Sequence, residues 1–366
     1  MQAQSGRIQI GVLTAPKKYN PYFHKSTKEL EKEMEKGVEK SIDFSSAGES
    51  FLDPEYVKWL DLGGATVVPI HYNLPVPILR LLLTELNGFV MPGGALETLD
   101  THVPEHLYHV IRACQTVVNY SKIQTDLGRM FPVWGTCQGF ELLAAIATWK
   151  EVRHTRIKKM IEKSKNKVTE EDIAKYVAQD DEIASKTESE DLSKYLTKMI
   201  REGSQFDNTV SKQSDPLFFN NKGKNSIRDL FTKEERKQME EEPVTVMYHN
   251  LGFDVGTPSY NNMMKKIEPL AWAYDHTDNK KYLSIMKYKE FPIYGVAFHP
   301  EKGIGSLDPR RKKSIKQRDN LSSGLGDYLS SKLAVFFVGL AKQSPNTWLG
   351  PPTNYLRQDK FNLNMN

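Results

Sequence analysis

The sequence predicts an α/β protein on a doubly wound, mostly parallel sheet, with helices on both faces and a charged, mostly helical insertion. Three observations predict it. Short apolar, β-branched runs recur along the first part of the chain and again towards its end. These runs are apolar at every position rather than every second one, the pattern of strands covered on both faces. Candidate helices alternate with them, as the crossovers of a parallel sheet require. With 366 residues, of which 39% are hydrophobic, the chain can bury one large core. We read 1–366 as a single domain and 153–225 as an insertion within it.

The predicted strands are "IQIGVL" (8–13), "TVVPI" (66–70), "GFVMP" (88–92) and "MFPVW" (130–134). Between them, "DPEYVKWLDLGGA" places Tyr56, Trp59, Leu60 and Leu62 towards one side and stops at Gly63-Gly64, a helix end. "VPEHLYHVIRACQTVVNYSK" puts Leu107, Val110, Ile111 and Cys114 at helical spacing. From Arg153 to Gly203 the text is dense in charge of both signs, and Thr169 with Asp172 gives a helix-start signature. This block reads as a solvated helical insertion, or as a lid or partner-binding arm. Regular structure resumes at "PVTVMYH" (243–249). A hairpin of "KYLSIMKY" (281–288) and "FPIYGVAFHP" (291–300) follows, then a helix carrying Leu329, Leu333, Phe336, Phe337 and Leu340 on its packing face.

Composition removes several function classes. The formal charge of +4 is a mild basic excess, well short of a nucleic-acid signature. No run of about 18 apolar residues suggests a membrane span. Two cysteines, Cys114 and Cys137, make neither a disulfide framework nor a metal–thiolate cluster.

Cys137 carries the chemistry. Gly135-Thr136-Cys137-Gln138-Gly139 sits between an apolar strand and a helix, which is the Gly-x-nucleophile-x-Gly pattern of an elbow with Cys in place of Ser. Side chains two before and two after the nucleophile would collide with the neighbouring strand and helix, and glycine removes them. The helix N-terminus favours a thiolate there, and the Gln138 N–H can donate to a developing oxyanion. Cys114, among apolar residues at helical spacing, reads as core.

A thiolate nucleophile needs a base that becomes a cation. His299 ends an apolar strand, where parallel-sheet enzymes keep their chemistry, and Glu301 lies two positions on, placed to orient its ring. "FVMPGGALET" (89–98) runs a strand into Gly93-Gly94. Paired glycines there let backbone approach a ligand, and the Gly94 N–H is the second oxyanion donor.

These pieces, in this order, resemble the class I glutamine amidotransferase-like superfamily and within it the γ-glutamyl hydrolases, which are folate polyglutamate peptidases. "PVWGTCQGFELL" is similar to that family's nucleophile segment, "MPGGALE" to its oxyanion strand and "FPIYGVAFHPEK" to its histidine segment. "YVKWLDLGGATVVPI" resembles its first helix and second strand, and "VMYHNLGF" a segment with a histidine near the substrate. The resemblance covers about 1–150 and 240–345. It implies a flavodoxin-like fold, Cys137 as nucleophile, His299 as general base and acid, and Glu301 as third member. It further implies that His249, Glu141 and Tyr56 lie beside the substrate, with Gly93 at the same site. Two stretches depart from the family: the charged block, and "HPEKGIGSLDPRRKKSIKQRD", whose basic run is a candidate attractor for a polyanionic tail.

The resemblance implies cleavage of γ-glutamyl bonds, most of all in folylpoly-γ-glutamates, through a thioester on Cys137. No metal or organic cofactor is expected. The expected partner is a small γ-linked polyglutamate, with no nucleic acid and no membrane. A homodimer, and a protein partner for the insertion, stay open. Two other readings stand beside this one: a glutaminase module serving a separate synthase, and a non-catalytic protein that retains the fold. The family implies a lysosomal, vacuolar or extracellular setting; a cytoplasmic one stays open because "MQAQSGRIQIGV" has no signal-peptide pattern.

Overall fold

A computed structural model describes residues 7–16, 50–94, 105–149, 214–247, 251–275, 279–302 and 324–347, with position 169, seven positions between 191 and 199, and 204–205. Its centre is a sheet of eight strands. In chain order these are β1 (Ile8–Leu13), β2 (Ala65–Ile70), β3 (Gly88–Met91), β4 (Val133–Thr136), β5 (Phe218–Phe219), β6 (Ile267–Tyr274), β7 (Lys281–Tyr288) and β8 (Ile293–Val296). The spatial order is β2-β1-β3-β4-β8-β7-β6-β5. The first five are parallel, and β7, β6 and β5 extend that sheet antiparallel. The sheet is therefore mostly parallel, as expected.

Two cores cover its faces. On one side pack α2 (Val76–Leu83), α3 (Glu105–Asp126), α4 (Gln138–Thr148) and α6 (Pro258–Met263), through Leu79, Ile111, Leu143 and Met263. On the other lie α1 (Pro54–Leu62), α5 (Lys233–Glu241) and α7 (Gly324–Ala341), through Trp59, Met239 and Phe337. Helices on both faces are the doubly wound arrangement. β1 to β4 are buried on both sides, which is why their sequences lack alternation. Cys114 is fully buried in the first core. The tail helix buries Leu329, Leu333 and Phe337, while Phe336 and Leu340 are partly covered.

Several boundaries differ from the sequence reading. The strand expected at 130–134 runs from Val133 to Thr136. Pro132 has no N–H to give a ladder, but its carbonyl accepts from Phe89 N at 3.0 Å and opens the pairing. Among the described residues of "PVTVMYH" (243–247), Thr245–Val246 is strand, paired with Ser214–Asp215. β8 stops at Val296, so His299 lies beyond the strand end, pinned by its N–H to Val246 O at 2.8 Å. The charged block lies mostly outside the described residues, including the helix expected after Thr169. Its described positions at 191–199 are helical, and Leu192, Leu196 and Met199 are buried in the first core rather than solvated. The basic run at 310–313 and His249 also lie outside the described residues.

Candidate active site

The parallel strands β1, β3, β4 and β8 end at one edge of the sheet, and the candidate residues gather there. β4 ends at Thr136 and α4 begins at Gln138, so Cys137 alone makes the turn. Its backbone has φ 50° and ψ −108°, a conformation side-chain-bearing residues seldom adopt. Such strain costs on the order of 1–3 kcal/mol and persists only when neighbours enforce it. Here Cys137 N–H donates to Val296 O at 2.8 Å, and Cys137 O accepts from Glu141 N at 3.0 Å.

The elbow glycines are there for space. A Cβ on Gly139 would sit 2.2 Å from Met91 O, and one on Gly135 would sit 2.6 Å from Gly139 O. Both are impossible contacts, so the crossing of β3, β4 and α4 admits only glycine. The same holds at Gly93, where a Cβ would lie 2.5 Å from His299 Cε1 and 3.3 Å from Cys137 Cβ. That one point brings Gly93, Cys137 and His299 together from three distant parts of the chain. A Cβ on Gly94 would lie 2.7 Å from Gln138 Oε1.

His299 Nδ1 faces Glu301 Oε1 at 2.6 Å, which leaves Nε2 for the thiol. Burial by itself disfavours the imidazolium. The charges of Glu301 and Cys137, and hydrogen bonds to both, overcome it and hold His299 well above the ordinary imidazole range. Cys137 and His299 are each 7% exposed, and Glu301 is 2% exposed. The arrangement sets a readily protonated imidazole against the thiol in a nearly buried site, with Glu301 behind the ring.

Tyr56, on α1, is buried. Its Oη accepts the Gly93 N–H at 2.7 Å, and burial, with Glu301 next, holds its hydroxyl protonated well beyond the usual range. Gly93 N–H is therefore engaged with Tyr56. Glu141, in the first turn of α4, has burial pushing its carboxyl up to about 8. A small cleft opens at Gly93 and Gly94, lined among others by Thr14, Met91, Cys114 and Gln138. It lies between the ends of β1 and β3, where the sheet order reverses and doubly wound proteins bind ligands.

Sequence reasoning missed Lys302. Its Nζ lies 2.8 Å from Asp53 Oδ2 and 2.5 Å from Glu55 Oε2, all three side chains being nearly buried. The signal was available: "HPEK" places a lysine directly after Glu301, and "DPEY" brings two carboxylates just before Tyr56.

Fold and site together define the class: a doubly wound α/β protein with a cysteine elbow and a His–Glu pair at the carboxyl edge, the arrangement expected of the class I glutamine amidotransferase-like superfamily. Comparison with known proteins bears on the particular family. Residues 32–210 match the family model described as Peptidase C26. The chain is 24% identical to gamma-glutamyl hydrolase of Homo sapiens over 256 residues, 70% of this chain and 62% of that protein. It is 23% identical to gamma-glutamyl hydrolase 1 of Arabidopsis thaliana over 285 residues, 77% of this chain and 65% of that protein. It is 24% identical to gamma-glutamyl hydrolase of Mus musculus over 291 residues, 79% and 72% of the two chains. The chain thus spans less than two thirds of the human relative's length. A glutamine amidotransferase of Thermotoga maritima aligns over 92% of this chain and 98% of its own, at 8% identity and a TM-score of 0.42. The resemblance read from the motifs, to γ-glutamyl hydrolases, is the one found.

Proposed function

We propose that the protein is a cysteine hydrolase of γ-glutamyl bonds, with folylpoly-γ-glutamates as its substrate class. The observation that carries this reading is the meeting of Cys137, His299 and Gly93 at one point, with Glu301 behind the imidazole. The likeness to gamma-glutamyl hydrolases supports the choice of bond.

Cys137 Sγ attacks the γ-amide carbonyl. The Gly94 and Gln138 N–H groups donate to the oxyanion, at about 3 kcal/mol of barrier each. His299 Nε2–H protonates the departing amine, the C–N bond breaks, and a thioester remains on Cys137. His299, now neutral, takes a proton from water. The hydroxide adds to the thioester, and collapse releases the γ-carboxylate and restores the thiolate–imidazolium pair. Glu301 fixes the ring, while Tyr56, Glu141 and His249 contact the substrate. An acidic lysosomal, vacuolar or extracellular setting belongs to this reading, because His299 stays protonated there.

Incubation of the purified protein with folate pentaglutamate, followed by mass spectrometry, should give shortened folates and γ-linked or free glutamate. Cys137→Ala should abolish this and keep the wild-type circular dichroism. Turnover retained by Cys137→Ala would overturn the mechanism. Ammonia released from glutamine with no cleavage of γ-glutamyl chains would replace the hydrolase by a glutaminase.

A further inference from the structure

We propose that Lys302 is a positioning residue for the Cys137–His299 pair: its ammonium, held between Asp53 and Glu55, locks the His299–Glu301 turn to the first turn of α1 and so fixes the imidazole and the Gly93–Gly94 backbone together. The inference rests on the reading of Cys137 as nucleophile.

Three connections carry it. The first is the ion group. Lys302, Asp53 and Glu55 have side chains only 6%, 12% and 10% exposed, with N–O distances of 2.8 and 2.5 Å. Ions this buried persist only in good mutual geometry. The second runs through α1. Asp53 caps that helix, its Oδ1 accepting the Glu55 N–H at 3.0 Å. The next residue is Tyr56, whose Oη holds the Gly93 N–H. Gly93 has no slack, because its Cβ position already abuts His299. The third runs through the turn itself. Lys302 N–H donates to His299 O at 3.2 Å, Ser330 Oγ donates to Pro300 O, and Trp59 Nε1 of α1 donates to Ser330 O at 3.1 Å. Lys302 thus joins the two halves of the site, which chain order separates by more than two hundred positions.

Charge points the same way. Glu301 acts directly on His299, Asp53 acts with Glu301 and Cys137 on Tyr56, and Lys302 pairs with Asp53 and Glu55. Glu301 Oε2 is buried with no hydrogen-bond partner among the described residues. Among the described residues, Lys302 is a cation in direct contact with two of these carboxylates. Losing its positive charge leaves the surroundings of Asp53, Glu55 and Tyr56 more negative, which opposes a further negative charge on sulfur.

The test is the rate of Cys137 alkylation by iodoacetamide as a function of pH, in the absence of substrate, alongside kcat and KM for a γ-glutamyl substrate. Lys302→Met should slow alkylation at mildly acidic pH by on the order of 10–100-fold and move its profile to higher pH, as expected when a reacting group is displaced by about 1 Å. It should lower kcat more than it raises KM, and Lys302→Arg should restore most of both. If Lys302→Met does not fold, Glu55→Gln keeps the Asp53 contact and should give the same shift, smaller. A folded Lys302→Met or Glu55→Gln with a wild-type alkylation profile and kcat would overturn the proposal and leave Lys302 a prop for stability alone. The alkylation arm needs no substrate: its shift in a wild-type protein that cleaves no γ-glutamyl chain would retain the positioning role and sink the hydrolase reading.

Discussion

At the scale of single residues, the site turns on one buried histidine whose charge is set by its neighbours. Burial opposes the imidazolium at His299, and Glu301 with Cys137 reverses that opposition. A folded-state value above the unfolded one means that protonated His299 adds stability below the ordinary imidazole range. That contribution fades as pH climbs through the raised folded value. Glu301→Gln keeps a hydrogen-bond partner for Nδ1 but removes the charge. Its stability deficit relative to the parent should be largest near pH 6 and narrow in alkali, where the parent holds an unpaired Glu301 carboxylate; urea titrations across pH measure this. The same substitution should cut kcat by on the order of 10²–10⁴, since the imidazolium formed in the reaction loses its support. A deficit that grows in alkali, or an unchanged kcat, would remove Glu301 from the site.

At the scale of elements, the elbow is a packing solution before it is a catalytic one. α4 lies so close over β3 that a methyl on Gly139 would meet Met91 O at 2.2 Å. Gly139→Ala should therefore destabilise the protein by about 1–3 kcal/mol or more, in the range of overpacked cores. Gly339, within α7, has nothing within 4 Å of its Cβ position. Gly339→Ala should stabilise by about 0.5–1 kcal/mol, because it removes only helix-interior glycine. Equal responses to the two substitutions in denaturant would show that the close approach at β3 is not what demands glycine. The sequence made the elbow legible because local pattern and function coincide there, and likewise β1, β2, β3 and α1. β6 escaped the pattern because Glu268 and Pro269 interrupt its apolar run; the strand absorbs the proline with register shifts between Pro269 and Trp272 near the antiparallel end of the sheet. α2 escaped because Pro75 and Pro77 flank its start, where a helix tolerates them. Leu192, Leu196 and Met199 show a helical spacing that the surrounding charge outweighs in a compositional reading. The Lys302 group was hidden for another reason: its partners lie some 250 positions away, and no local pattern announces an ion pair that only the closed fold creates.

At the scale of the whole molecule, the two cysteines report on two different stabilities. Cys137 stands at the rim, where the parallel strands end, beside a cation. Cys114 is 0% exposed in the middle of α3, and burial pushes its thiol up to about 12. It borders the cleft beside Gly93 and Gly94 but has no exposed surface, so its reaction is expected to require α3 to move off the sheet. α3 shares its core with α2, α4 and the strands between them, so that departure amounts to opening one whole face. Its labelling rate should therefore follow the opening equilibrium, while that of Cys137 follows the site. With iodoacetamide in native buffer, peptide mapping should find one modified cysteine, with Cys114 slower by at least about 10³-fold, as expected for an opening that costs several kcal/mol. Urea should raise the Cys114 rate exponentially and leave that of Cys137 nearly level until the fold melts. Comparable rates at the two thiols in native buffer would mean that α3 is only loosely docked. The close packing that holds Cys137 in its strained turn would then lack its support, since α4 packs against α3 on the same face of the sheet.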